Sequence, residues 1–447
     1  MAQDTTATSA VDVGSLLDFG RWAAWQKLVT LLAAMAVLFD GFDIQILGVA
    51  IPSIMRDWHV ARGAFAPIAA LGLGGMAVGS PLAGYCGDRF GRRITLIGCV
   101  LIFGLATIAT AFCDSLMQMG ILRTLAGVGI GGALPNAAAL TAEFAPLRRR
   151  AVAVTLTIVC VPLGSMIAGL AAARVLPALG WHTLYLIGGA APLLYAILLA
   201  VALPESPRYL TLHAERAAEL IRTLARMGQA FPEGTAFHTG HGRESGKAGS
   251  LKDLFSPELL QDTVGLWLGY FASLVATYLV LGWLPAMLAS HGLEVGTASA
   301  GMAAYNFGGV FGVLVCSMII TRLGSRRPML WSAFGGAASA LALLLVPIVP
   351  AGEHNVLIGG IGLMGLFMNT VQTTMFALAS HVYPTRVRAT GVACAAAVGR
   401  GGAVISSFAG AAIIQAGGGA FLKVIAAALG ITFIGLAIVR NHYPERK

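Results

Sequence analysis

Two carboxylates, Asp40 and Asp43, stand in the run Leu38-Phe39-Asp40-Gly41-Phe42-Asp43, inside a stretch from Leu28 to Ile51 that is otherwise almost wholly apolar. Three residues apart, they share one face of a helix. At a bilayer centre each acid costs about 2.5–3.5 kcal/mol on insertion scales, so a pair there points to a proton or ligand site. The competing explanation is a polar pair that only fixes helix packing. The other ionisable residues inside apolar runs are Arg123, Arg400 and Lys423, with Glu143 near the end of one run. Arg123 lies nine residues past Asp114, about 13 Å into its run at 1.5 Å per residue. Arg400 lies ten residues past Thr390, also near mid-run, and Lys423 is close enough to an end to snorkel. Arginine keeps its charge at any working pH, whereas a carboxyl can exchange a proton. The acids are therefore the candidate proton carriers and the arginines the fixed charges. An anionic substrate at Arg400 would form a charge-assisted, bidentate pair. Arg123 is placed to pair with Asp40 or Asp43, although purely structural ion pairs would explain the arginines too.

The elements that must position these residues follow from composition. The 447 residues are 57% hydrophobic and 11% charged, with mean hydropathy +0.80, which no soluble chain of this size could bury. Twelve apolar runs are long enough to span a bilayer at about 20 residues each: 27–51, 64–86, 94–112, 115–142, 151–173, 183–203, 263–289, 298–320, 328–349, 355–379, 390–414 and 420–439. The 57 glycines suit close helix packing in lipid. Of the 29 Lys and Arg, 23 fall on the side of the two termini, and Arg56, Arg62 and Arg174 fall on the other. By the positive-inside rule both termini are cytoplasmic, and the net charge of +9 reflects topology rather than nucleic-acid binding. The N-terminal residues 1–20 lack the basic and apolar regions of a cleaved signal. The six cysteines lie in or at the ends of apolar runs without metal-ligand spacing and read as small packing residues.

The chain repeats itself. Glu143-Phe144-Ala145-Pro146-Leu147-Arg148-Arg149-Arg150-Ala151 aligns with His381-Val382-Tyr383-Pro384-Thr385-Arg386-Val387-Arg388-Ala389 at an offset of 238, and Arg89 and Gly91 match Arg322 and Gly324 at an offset of 233. The expected fold is an all-α membrane protein of 12 transmembrane helices in two six-helix, parallel-repeat halves. The halves are 27–203 and 263–439, with a tail over 1–26, a linker over 204–262 and a second tail over 440–447. In the linker, Tyr209–Met227 is expected to form one amphipathic helix and Leu251–Leu260 another, with Gln229–Ser250 disordered. His238 and His241 read as solvated linker ahead of any metal role.

The loop Gly87-Asp88-Arg89-Phe90-Gly91-Arg92-Arg93 follows the second run. Its Asp88 is placed to accept from the N-terminus of a neighbouring helix. This loop resembles the signature of the major facilitator superfamily, and the resemblance covers nearly the full length. The weaker copy Arg322-Leu323-Gly324-Ser325-Arg326-Arg327 lacks the acid, so the halves should not gate identically. The Asp-Gly-Phe-Asp element, the run Leu122 to Gly132 around Arg123, and Val398-Gly399-Arg400-Gly401-Gly402 together resemble the bacterial aromatic acid:proton symporters. That resemblance implies essential Asp40 and Asp43, a carboxylate held by Arg400, and a conformational cycle controlled by Asp88 and Arg92.

Arg89, Glu143, Arg148, Arg322 and Arg386 complete the expected gating set, with Arg123 joining Asp40 and Asp43 in proton coupling. The expected substrate site combines Arg400 and Asp43 with Trp283, Tyr305, Asn306, Asn369 and Gln372. Tyr270, Tyr278, Phe307 and Phe376 are weaker candidates, because most aromatics in spans serve packing or interface anchoring. A buried amide in lipid needs a partner, which favours the three amides. The expected activity is import of a benzoate-like acid across a bacterial inner membrane, driven by the proton gradient, with no cofactor and a monomer as the working unit. Another small organic acid and proton-driven export are the alternatives. The span-5 stretch from Val161 to Gly169 matches the exporters' glycine–proline motif only in part. A sensor would need a soluble output domain, and none is expected outside the linker over 204–262; an enzyme is disfavoured because no nucleophile, base or metal cluster recurs near the midplane.

Overall fold

The computed structural model describes residues 11–232, 234–238, 251–348, 354–384 and 387–443. Eleven helices among the described residues are long and apolar enough to cross a membrane. In the first half they are α2 (Ala24–Trp58), α3 (Phe65–Phe90, entered through a 3-10 turn at Arg62–Ala64), α4 (Arg92–Thr110), α5 (Leu116–Phe144) and α6 (Leu147–Ala202). A short helix, α1 (Val13–Phe19), precedes them. At 1.5 Å per residue α6 would be about 84 Å long, far more than one crossing needs. It breaks at Gly180, whose φ of 77° is natural for glycine, so α6 carries two crossings, 147–179 and 181–202. The second half is α9 (Leu260–Ser290), α10 (Val295–Leu323), α11 (Arg326–Ala342, extended by a 3-10 turn), α12 (Asn355–Val382), α13 (Arg388–Gln415) and α14 (Gly418–Ile438). With α6 counted twice, the chain makes the twelve crossings its apolar runs predict.

The same packing recurs in both halves. In the first, α3 lies on α5, α2 on the first arm of α6, and α4 on α6; in the second, α10 lies on α12, α9 on α13, and α11 on α14. Glycines make the close contacts. A Cβ on Gly75, Gly79, Gly127 or Gly131 would run into a backbone carbonyl across the α3–α5 seam, as would one on Gly308, Gly312 or Gly365 across α10–α12. With no hydrophobic drive between helices in lipid, such backbone approach carries the association.

The halves are joined asymmetrically. At the end of the bundle far from the termini they share one apolar core, in which Ile46, Val49 and Ile51 of α2 meet Leu279, Trp283 and Leu284 of α9. At the termini end each half keeps largely its own core, with Leu73 and Met76 of α3 the points of contact. The halves thus share apolar packing at the far end and keep largely separate cores at the termini end.

The linker departs from expectation. In place of one helix over Tyr209–Met227 there are α7 (Pro207–Thr211), a 3-10 turn (Ala214–Arg216) and α8 (Ala217–Arg226). The break falls where His213 folds back, its ring stacked on Tyr209 and its Nδ1 2.9 Å from the Tyr209 carbonyl. Leu251–Phe255 is a 3-10 turn, and the helix begins only at Leu260. Phe237–His238 pairs as a parallel strand with Val11–Asp12, so this part of the expected disordered stretch is ordered; His241 lies outside the described residues. Val13 and Leu17 of α1 bury against Leu210, Leu220 and Leu224, and Asp18 pairs with Arg150 and with Arg208 (3.3 Å). The N-terminal tail and the linker thus form one cap under the first half. Residues 440–443 also dock: Asp262 accepts from the Arg440 N–H and the Asn441 amide, both at 2.6 Å.

Candidate functional site

The site grows from the contact between α2 and the first arm of α6. Gly41 lies on the Val161 carbonyl, Gly164 lies on the Leu38 carbonyl, and the Ser165 hydroxyl donates to the Gly41 carbonyl at 2.7 Å. The glycine between the two acids is there because the partner backbone occupies the place of its side chain. This locks the pitch of α2 where Asp40 and Asp43 sit.

Asp43 is buried, and its hydrogen-bond partners come from its own half. Arg123 Nη1 donates to Asp43 Oδ2 at 3.1 Å, and the Thr107 hydroxyl donates to Asp43 Oδ1. Arg123 Nη2 also donates to Thr107 (2.9 Å) and Thr110 (3.4 Å), and its guanidinium lies 5.2 Å from the centre of the Tyr185 ring. Thr107 and Thr110 come from α4, Arg123 from α5 and Tyr185 from the second arm of α6. A buried pair survives desolvation only with such extra hydrogen bonds and contacts. The structure therefore chooses Asp43 as the partner of Arg123, where the sequence left either acid open.

Asp40 is equally buried, but its Oδ1 has no hydrogen-bond partner among the described residues. It lines a cavity of about 190 Å³ between the halves, together with Arg400, Tyr278, Asn306, Asn369 and Gln372 from the second half. Pro135, Ile158 and Phe376 supply apolar wall toward the termini end. Arg400 is half-buried and forms no ion pair among the described residues. A smaller cavity of about 90 Å³, toward the far end, contains Asp43, Arg123, Gly48 and Trp283. The two share Ile44, Met76, Ile130, Tyr278 and Leu281 as a common wall. The acids are only about 4.5 Å apart along the axis at 1.5 Å per residue, yet each lines a different cavity. A fixed cation in the cavity between the halves, with a carboxyl on the same cavity and no ion pair on either among the described residues, can hold an anion and exchange a proton.

The chain matches the description Major Facilitator Superfamily over residues 33–354 and again over 266–447. The chain belongs to the Major Facilitator Superfamily. This facilitator chain is 35% identical to the gallate transporter of Pseudomonas putida, over 96% of itself and 95% of that protein. It is 34% identical to the 4-hydroxybenzoate transporter of Acinetobacter baylyi, over 92% of itself and 89% of that protein. The 3-(3-hydroxy-phenyl)propionate transporter of Escherichia coli is 32% identical over 91% of this chain and 92% of its own. In fold the chain is similar to the inward open conformation of the E. coli xylose transporter, with TM-score 0.72, 19% identity, and 92% and 95% of the two chains covered. The protein is a multi-pass membrane transporter and not an enzyme.

Not every expected site residue of this facilitator lies at the cavities. Tyr305 is fully buried in the shared core, its hydroxyl 3.9 Å from the Met368 sulfur, and does not line the Arg400 cavity. Its large ring is taken up by packing where α10 and α12 touch through Gly365. Trp283 belongs to the smaller cavity, with its indole against Gly410. Tyr270 packs edge-on against Phe376 at 5.5 Å behind the larger cavity's wall. Phe307 and Lys423 are exposed on the outer surface of the bundle.

The signature loop is built differently from its expected form. Asp88 Oδ1 pairs with Arg92 of its own loop at 2.6 Å and caps no neighbouring helix. Arg92 reaches Asn136 (3.4 Å) and Glu143 (3.8 Å), and Glu143 accepts from the Ser206 hydroxyl. The carboxylate at the helix N-terminus is instead Glu205, whose Oε1 accepts from the Arg93 N–H at 3.1 Å and the Ser206 N–H at 2.9 Å. Gly91, with φ of 101°, leaves room for it, since a Cβ there would run into the carboxylate. Arg89 donates to the Tyr85 hydroxyl at 2.7 Å. Arg148 is exposed, and its neighbour Arg150 makes the ion pair with Asp18. In the second half Arg322 is exposed, while Ser325 is hydrogen-bonded to His442 and Tyr443. Arg386 lies outside the described residues. Sequence reasoning missed Thr107, Thr110, Tyr185 and Glu205. Threonine and tyrosine in an apolar run carry no signal of a partner, whereas Glu205 stands in Pro204-Glu205-Ser206-Pro207-Arg208, an acid between two prolines beside a short span.

Proposed function

We propose that the protein is a proton-coupled symporter that imports a small aromatic carboxylate by alternating access. The observation that carries this is Arg400, unpaired in the apolar-walled cavity between the halves and faced by Asp40. The carboxylate pairs with Arg400, and the ring lies against Tyr278 and the apolar wall. Asp40 takes and releases the proton on the cavity side. The Asp43–Arg123 pair is the second charge element, opened or closed as α2 moves. The names of the gallate, 4-hydroxybenzoate and hydroxyphenylpropionate transporters support the substrate class.

In this reading the termini end faces the cytoplasm of a bacterial inner membrane, as the 23 basic residues on that side favour. The proton gradient is the driving force, no cofactor takes part, and one chain with both halves is the working unit. Asp88, Arg89, Arg92, Glu143, Arg148, Arg322 and Arg386 act at the gate on that side. The stretch from Val161 to Gly169 is occupied in packing, on α2 at Val161 and Gly164 and on α10 at Gly169, and lends export no support.

The test is uptake of labelled 4-hydroxybenzoate into proteoliposomes under an imposed inward proton gradient. Wild type is expected to concentrate the acid, with uptake reduced at least about tenfold in Arg400→Gln and gradient dependence lost in Asp40→Asn. Equal uptake with and without the gradient would remove proton coupling.

A further inference from the structure

The cavity holds more polar groups than a carboxylate and a bare ring can use, and their free atoms differ in kind. Asn306 Nδ2 donates to the Met302 carbonyl at 3.0 Å, and Asn369 Nδ2 donates to the Gly365 carbonyl at 3.2 Å. Each bond runs back along the residue's own helix. A carbonyl can only accept, so these contacts fix which end of each amide is nitrogen. Among the described residues no group donates to the oxygen of either. Gln372 is the reverse: the Ser273 hydroxyl, which also reaches the Tyr270 carbonyl at 3.4 Å, donates to its Oε1 at 3.0 Å, and its NH₂ meets no acceptor among the described residues. All three side chains line the Arg400 cavity.

A carboxylate accepts only, so it is matched by Arg400 and by the Gln372 NH₂. It cannot use two amide oxygens. A phenolic hydroxyl has a proton to give, and an amide oxygen takes it. From this polarity we infer that the site is built for a ring carrying hydroxyls, with the carboxylate at Arg400 and Gln372 and the ring hydroxyls donating to Asn306 Oδ1 and Asn369 Oδ1. Two acceptors on adjacent helices, α10 and α12, suit a ring with two neighbouring hydroxyls better than one with a single hydroxyl. Benzoate would leave both oxygens without water or partner in a closed cavity, and that loss is the basis of rejection. This inference rests on the aromatic-carboxylate reading above and names the subclass within it.

Equilibrium binding of benzoate, 4-hydroxybenzoate, 4-methoxybenzoate and 3,4-dihydroxybenzoate to purified wild-type protein is the first measurement. Affinity is expected to rise by about three- to tenfold with each hydroxyl, the worth of one net hydrogen bond. The methoxy acid, which keeps the oxygen but has no proton to give, is expected to fall back to the benzoate level. The second measurement is the ratio of the 3,4-dihydroxybenzoate and benzoate dissociation constants in Asn306→Leu and Asn369→Leu. Each substitution is expected to move the ratio toward benzoate by about tenfold. The wild-type series needs no variant to fold. A flat series, a methoxy acid that binds as well as the hydroxy acid, or an unmoved ratio in both variants would overturn the assignment while leaving aromatic-acid transport standing. Failure of wild type to bind any of the four acids would instead bring down the proposed function, and this inference with it.

Discussion

At the residue scale the question is why two acids so close in sequence have different surroundings. Asp43 is held by Arg123 and Thr107 inside one half, while Asp40 shares a cavity with Arg400 and forms no ion pair among the described residues. The buried pair makes an uneven prediction. Removing Arg123 alone leaves an anion enclosed by apolar groups, which costs about 3–5 kcal/mol. Removing both charges with Asp43→Asn and Arg123→Gln together leaves neutral amides that can still hydrogen-bond. Thermal unfolding in detergent is therefore expected to show a lower midpoint for Arg123→Gln than for the double variant. A double variant at least as unstable as the single one would mean the pair contributes net stability beyond mutual neutralisation.

At the scale of elements, what matters is how the short loop after α3 is tied to the linker. The N-terminus of α4 is met by Glu205, and the turn at Gly91 exists to admit that carboxylate. Burial pushes the Glu205 carboxyl above the usual carboxylate range, opposed by the N–H groups of Ser206 and Arg93 and by the nearby Arg216. A carboxyl with a raised folded-state pKa keeps its proton in the folded protein where the unfolded chain has already lost it. Its contribution is fully present below the ordinary value of about 4.3 and is lost as pH rises through the raised one. The unfolding midpoint of wild type minus that of Glu205→Gln is thus expected to fall as pH rises above about 4.3. A difference that grows with pH would show that the helix N-terminus, which favours the anion, outweighs burial.

For the whole molecule, the unequal joining of the halves defines what must move. At the far end α10 lies against the first arm of α6, with Gly296 beside the Ala173 carbonyl and Gly169 beside the backbone of Ser299 and Ala303. Alternating access requires this seam to open while the termini end closes. In a cysteine-free background, Ala173→Cys together with Gly296→Cys is expected to cross-link under oxidation and reduce uptake at least about tenfold, with recovery on reduction. Complete cross-linking with undiminished uptake would show that the far end need not open here.

Much of this was legible in the chain. The twelve crossings, the two-fold internal repeat, the charged residues at mid-span and the signature loop were each readable, because a bilayer demands long apolar runs and penalises any charge placed in them. The sequence also placed Asn306, Asn369, Gln372 and Arg400 together as a group. Only the tertiary structure decided the pairings. Whether Arg123 meets Asp40 or Asp43 depends on how α5 is rotated against α2, and that rotation is set by glycine contacts with third helices. That Tyr305 serves packing while Asn306 faces the cavity is a difference of one residue, about 100° around a helix, which hydropathy does not resolve. The polarity of the amides depends on which of their atoms bond back to their own helices or to Ser273. Composition determines that such groups are in the membrane, and the packing of neighbours determines which atoms they have left to offer.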